Sequence, residues 1–123
     1  MDSGKSASDF GTYSKPSGGI PLTDLADNTE IVSGTTPSIV GVAGKRYICG
    51  ECSTLSITAP ESGCIDVLFT SGATATTLTL ASAKSGVTAI KLPSWFDPAS
   101  LSANTTYEIN ILDGAYGVVA EWT

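Results

Sequence analysis

Residues Thr105 to Trp122 read Thr-Thr-Tyr-Glu-Ile-Asn-Ile-Leu, then Asp-Gly, then Ala-Tyr-Gly-Val-Val-Ala-Glu-Trp. Two alternating runs separated by Asp-Gly are the strongest short-range signal for a β-hairpin, because both central residues of a type I′ turn need positive φ. A two-residue turn at Asp113-Gly114 sets Ile111 opposite Tyr116, Ile109 opposite Val118 and Tyr107 opposite Ala120, so that one face is apolar throughout. The other face then carries Thr106, Glu108, Asn110, Gly117 and Glu121, with Leu112, Ala115 and Val119 as its apolar members. A three-residue connection would set Ile111 against Gly117 and Tyr107 against Glu121, since a one-residue slip moves every side chain of a strand to the other face. The apolar match therefore predicts the two-residue register, with Gly114 at positive φ.

From Ser38 onward the apolar residues fall in short alternating runs separated by Gly, Ser and Pro. Strands are expected at roughly 38–42, 46–50, 53–59, 64–70, 76–81, 86–91, 106–112 and 115–122. Leu55, Ile57 and Ala59 point inward from one strand, and Ile65, Val67 and Phe69 from the next, with Pro60-Glu61-Ser62-Gly63 as the turn between them. Leu68 falls on the outer face with Cys64 and Asp66, which predicts a strand covered on both sides, by another chain. The cadence predicts an all-β fold: an antiparallel β-sandwich, jelly-roll-like, over residues 38–123.

Residues 1–37 are rich in Ser, Gly, Thr, Asp and Pro and show neither a strand nor a helix period, so they read as an extended N-terminal arm. Within it, Ile20-Pro21-Leu22-Thr23-Asp24-Leu25-Ala26 suits one helical turn capped by Thr23. One turn is not stable alone, so it needs a partner surface.

The 123 residues support one globular domain plus this arm. Twelve acidic against six basic residues give a net charge of -6, which repels phosphate backbones and anionic membranes, so neither nucleic acid nor membrane is an expected partner. With no histidine, most general-base templates are gone, and no nucleophile elbow, phosphate loop, dinucleotide fingerprint or zinc-protease motif occurs. An enzyme is not expected, nor any cofactor. No apolar run has the length of a signal core or a membrane span, which predicts a soluble chain made in a cytoplasm.

Cys49-Gly50-Glu51-Cys52 has the spacing of a zinc knuckle, and Cys64 offers a third thiolate with Glu51, Glu61 or Asp66 to complete a set. A second Cys or His pair is missing, so no metal is expected. A Cys49–Cys64 bridge is one alternative, and buried free thiols are the favoured reading. Trp95 and Phe96, in the turn-forming stretch Pro93 to Pro98, with Tyr47 or Tyr116, make either an aromatic platform for a sugar ring or a plug at one end of the core; the plug is favoured. Glu108, Glu121 and Asp113 are read as solvated charges, because an acid–base pair needs a cleft and two distinct environments.

Two stretches carry a resemblance. Lys15-Pro16-Ser17-Gly18-Gly19-Ile20-Pro21-Leu22-Thr23-Asp24-Leu25-Ala26 resembles a linker segment repeated in fibre and head-fibre proteins of tailed bacteriophages. Arg46 to Gly50, Gly63 to Gly72 and Asn104 to Val119 are similar to the C-terminal β-domain of such proteins. The linker stands here once rather than in tandem, unlike a long shaft. The resemblance implies a virion structural protein, a head fibre or capsid decoration subunit. It also implies a homotrimer held to the capsid or another virion protein through the arm, with Ile20, Leu22 and Leu25 in the trimer or anchor contact. A tail-fibre tip or a secreted module that binds a surface glycan is the alternative.

Overall fold

The computed structural model describes residues 28–123, and every regular element among them is a strand. In chain order these are β1 (Thr29–Val32), β2 (Ser38–Val40), β3 (Arg46–Cys52), β4 (Thr54–Ala59), β5 (Cys64–Ser71), β6 (Thr77–Ser82), β7 (Thr105–Leu112) and β8 (Tyr116–Trp122). They form a five-stranded sheet in the order β1-β3-β5-β7-β8 and a three-stranded sheet in the order β2-β4-β6. The chain alternates between the two sheets from β1 to β6. Each coil lays one strand in each, and the next coil stacks on it in parallel, as in a solenoid.

The all-β expectation holds, but the antiparallel jelly-roll pairing does not. Four of the six strand pairs are parallel; only β5–β7 and β7–β8 are antiparallel. The short Gly-, Ser- and Pro-rich connections read as hairpin turns are corners that carry the chain to the facing sheet. Ser53, the single residue between β3 and β4, is one of them. The β-structure also starts at Thr29, inside the stretch read as arm, with β1 paired along β3 from Thr29↔Arg46 to Val32↔Cys49.

Hydrogen bonds run from corner to corner. Ser53 N–H donates to Thr35 O at 2.7 Å, and Thr77 N–H donates to Ser53 O at 3.0 Å. The two buried polar side chains beside this stack are satisfied: Thr76 N–H donates to Ser71 Oγ at 3.0 Å, and Thr76 Oγ1 donates to Cys52 O at 2.6 Å. Unpaired, each would cost about 1–3 kcal/mol.

The inward residues of both sheets form one core. Leu55, Ile57, Ala59, Ile65, Val67 and Phe69 are buried as the alternation predicts, joined by Ile39, Tyr47, Leu78, Tyr107, Ile109 and Ile111. The two buried tyrosines direct their hydroxyls to backbone amides: Val42 N–H donates to Tyr47 Oη at 2.9 Å and Ser102 N–H to Tyr107 Oη at 2.8 Å. A register shift between Ile48 and Glu51 lets β3 bury both Cys49 and Cys52. In an unbroken strand, residues three apart would face opposite sides.

At Asp113-Gly114 the expected turn is present. Asp113 and Gly114 have φ of 54° and 62°, and Ala115 N–H donates to Leu112 O at 3.0 Å, the pattern of a type I′ turn. The register beyond it is the other one, with Leu112 opposite Tyr116, Ile111 opposite Gly117 and Ile109 opposite Val119. Val119 is accordingly buried while Tyr116 and Val118 face outward.

The cause lies in the segment expected to be a strand at 86–91, which is a strap with one bridge, Lys91 to Tyr116. Lys91 N–H donates to Ala115 O and Gly117 N–H to Lys91 O, both at 2.8 Å. A Cβ on Gly117 would lie 2.7 Å from Leu92 Cδ2. The only residue of β8 without a side chain thus sits beneath the strap, and that selects the register.

Candidate functional site

Ile20, Leu22 and Leu25, and the helical turn expected around them, lie outside the described residues. The aromatic stretch is described. Phe96 N–H donates to Pro93 O at 3.0 Å, Ala99 N–H to Asp97 Oδ1 at 2.9 Å and Ser100 N–H to Asp97 O at 3.0 Å, so the loop is held by its own turns. Phe96 is buried edge-on against Tyr107, with ring centroids 5.8 Å apart, and Tyr107 stacks on Phe69 at 5.5 Å. Phe96 therefore has the position of the plug. Trp95, 56% exposed, leans edge-on against Phe96 at 5.8 Å and presents an aromatic surface to solvent.

Tyr116 is not part of that group. It stands opposite Leu112, five residues or about 17 Å along β7 from Tyr107, and on the outer face rather than the inner one. Tyr47 is buried in the core. Among the aromatics considered as a platform, Trp95 alone is an exposed ring in this loop.

The carboxylates separate. Asp113 accepts a hydrogen bond from Gly63 N–H at 2.8 Å, and Glu121 stands opposite Tyr107 at the far end of β8. Glu108 is brought beside a partner that the sequence does not announce, Asp66. Across β5 and β7, Leu68 faces Glu108 and Asp66 faces Asn110, which makes Asp66 and Glu108 diagonal neighbours on the outer face. Arg46 Nε donates to Asp66 Oδ2 at 3.0 Å, an ion pair in the middle of that face.

Asp66 Oδ1 is buried and has no hydrogen-bond partner among the described residues. A protonated Glu108 would supply the missing donor. The hydrogen bond to Asp66, burial and the charge of Asp66 together push the Glu108 carboxyl above its ordinary range, while Arg46 pulls it down. The two carboxyls thus lie side by side on the open outer face of the sheet.

The three thiols also divide. Cys49 and Cys52 are buried, as the free-thiol reading expects, whereas Cys64 is exposed on the outer face of β5. Cys49 and Cys64 point to opposite faces of one sheet, which removes the bridge considered between them. Burial, and then the nearness of Cys52, pushes the Cys49 thiol up to about 12; burial raises Cys52 as well. Both are poor nucleophiles and poor metal ligands in that state. Among the described residues no group of three or more His, Cys, Asp or Glu side chains is arranged to hold a metal ion. Nor, among them, is any helix long and apolar enough to cross a membrane.

The remaining feature is the outer face of the five-stranded sheet, which carries Ile31, Ile48, Leu68, Leu112, Tyr116, Val118 and Trp122 around the Arg46–Asp66–Glu108 centre. No family model matches this chain, and no curated protein or solved structure matches it either.

Proposed function

We propose that this chain is a structural protein of a tailed-bacteriophage virion, a head fibre or capsid decoration subunit, trimeric and attached through its N-terminal arm. The resemblance of Lys15 to Ala26 and of the three β-segments supports this reading. The structural observation that supports it is a β-body wound in stacked parallel coils, with continuous hydrogen-bonded sheets around one apolar core. Coils of this kind are stabilised by stacking on their neighbours, which suits an elongated body on a particle surface. The arm has too little apolar periodicity to fold alone and suits ordering along a partner, as disordered segments do on binding.

Retention on empty phage capsids tests the reading. The full chain should be retained, and a chain beginning at Asn28 should stay folded but be lost from the particles. Undiminished retention of the shortened chain refutes the anchoring arm.

A second reading, a tail-fibre tip or secreted carbohydrate-binding module, is favoured by the exposed Trp95 ring held against Phe96. Such a ring can stack on the apolar face of a sugar. Glycan-array binding that is lost in Trp95→Ala, with no capsid retention, would select it.

A further inference from the structure

We propose that the outer face of the five-stranded sheet binds a neutral sugar along the row Glu51–Thr70–Thr106–Trp122. The register sets these four residues side by side across β3, β5, β7 and β8: Glu51 opposite Thr70, Thr70 opposite Thr106, and Thr106 opposite Trp122. Three strand spacings of about 4.8 Å make a row about 14 Å long, room for two linked sugar rings. Trp122 is 52% exposed, and among the described residues no other ring packs on it. Its neighbour on the same face of β8, Ala120, is too small to cover it. An exposed indole is an apolar plate that stacks on the C–H face of a sugar ring. Beside it, the hydroxyls of Thr70 and Thr106 share one hydrogen bond at 3.2 Å, so the pair keeps one O–H to donate and lone pairs to accept. Glu51 at the far end is exposed and its carboxylate has no partner among the described residues; Gly72 has no side chain at the point where that carboxyl lies. Such a carboxylate accepts from two neighbouring hydroxyls at once.

Charge selects the class of sugar. The chain carries a net -6, and the row holds a carboxylate and no cation; Arg46 lies two rows away and is paired with Asp66. An acidic sugar is therefore repelled. A cationic ligand would be drawn to Glu51 but would find one ring rather than an aromatic cage. A neutral sugar satisfies both ends of the row, its hydroxyls on Glu51 and the threonines and its C–H face on Trp122. The site is distinct from the Trp95 loop, because Phe96, on which Trp95 leans, packs against Tyr107 on the inner face of β7. It goes beyond the virion reading and does not depend on it.

A glycan array of neutral and acidic sugars, followed by titration of the full chain with the best-bound neutral disaccharide, is the test. The parent should bind neutral glycans, undiminished in high salt. Trp122→Ala should keep its far-ultraviolet circular dichroism and raise the dissociation constant about tenfold or more, and Glu51→Ala about threefold or more. Trp95→Ala should bind as the parent does. No neutral glycan bound, a preference for acidic ones, or binding that high salt abolishes each overturns the proposal. Binding unchanged in Trp122→Ala overturns it as well, and binding lost in Trp95→Ala gives the sugar to the loop instead.

A second measurement leaves the row intact. In Trp95→Phe, Trp122 is the remaining tryptophan, and its emission should move to the blue and saturate as the disaccharide is added, because the sugar ring covers the indole. Binding with no change in that emission refutes the assignment. Capsid retention without sugar binding refutes this inference alone. Sugar binding without capsid retention refutes the virion reading alone.

Discussion

Gly63 and Asp113, fifty positions apart, hold each other by two hydrogen bonds: Gly63 N–H donates to Asp113 Oδ1 at 2.8 Å, and Asp113 N–H donates to Gly63 O at 2.8 Å. The pair joins the tip of the β7–β8 hairpin to the corner between β4 and β5. Asp113 suits the role because its short side chain tolerates positive φ and presents a charged acceptor. Replacing it tests the joint directly. Asp113→Ala should destabilise the fold by about 1.5–3 kcal/mol in urea unfolding, whereas Asp113→Asn, which keeps an oxygen acceptor and the left-handed backbone, should lose less than about 1 kcal/mol.

Next to it, Gly114 is required twice over. Its φ is 62°, and a Cβ there would lie 2.5 Å from Ser82 Oγ and 2.7 Å from Pro60 O. Gly114→Val should therefore cost about 2 kcal/mol or more, from strain and from parting the hairpin tip from the coils beneath it. A thermal midpoint equal to the parent's would contradict this packing.

The register of the hairpin is tested by charges at two neighbouring positions. Val119→Lys buries an unpaired ammonium opposite Ile109 and should unfold the protein, while Val118→Lys should leave the fold within about 0.5 kcal/mol of the parent. A two-residue turn register requires the reverse outcome.

Stability should depend on pH through Glu108. Its carboxyl is raised by the hydrogen bond to Asp66, by burial and by the Asp66 charge, so the folded state binds this proton more tightly than the unfolded chain does. Folding is then most favoured by this group below the ordinary glutamate range, and the gain is lost as pH rises through the raised folded value. Glu108→Gln, with an amide that donates to Asp66 Oδ1 at every pH, should flatten that part of the profile and be no less stable than the parent at pH 7. Urea unfolding across the window from the ordinary range upward measures both; an unchanged slope would mean that the proton is not shared.

Thiol chemistry should separate the cysteines. An aromatic disulfide reagent should titrate one thiol quickly in the native protein, Cys64, and Cys49 and Cys52 only on unfolding. Three thiols reacting at one rate in the native state would overturn the burial of the β3 pair.

The inward positions were legible because alternation assigns a face whatever the direction of the neighbouring strand. Leu55, Ile57, Ile65, Val67 and Phe69 would be inside in either a parallel or an antiparallel sheet. Direction was not legible from alternation, but the chain carries a cue to it. Thr54-Leu55-Ser56-Ile57-Thr58-Ala59 recurs in pattern as Thr77-Leu78-Thr79-Leu80-Ala81-Ser82, and these are the strands that stack in parallel, Thr54 on Thr77 to Ala59 on Ser82. The turn at Asp113-Gly114 was legible from its chemistry. Its register was not, because Lys91 and Leu92, more than twenty residues away, decide where Gly117 must lie. The nearness of Asp66 to Glu108 was not legible for a related reason: it exists only once β5 and β7 are paired.

The corners of the coil separate how long the body is from how it is closed. One antiparallel hairpin ends the five-stranded sheet beyond β5, and β1 and β2 lie at the other edges of their sheets. A further coil of the same pattern, added ahead of β1, would lengthen the body by one strand spacing, about 4.8 Å, without altering the tie between Gly63 and Asp113. The molecule is in this sense a ruler with one finished end, whose length is set in whole coils.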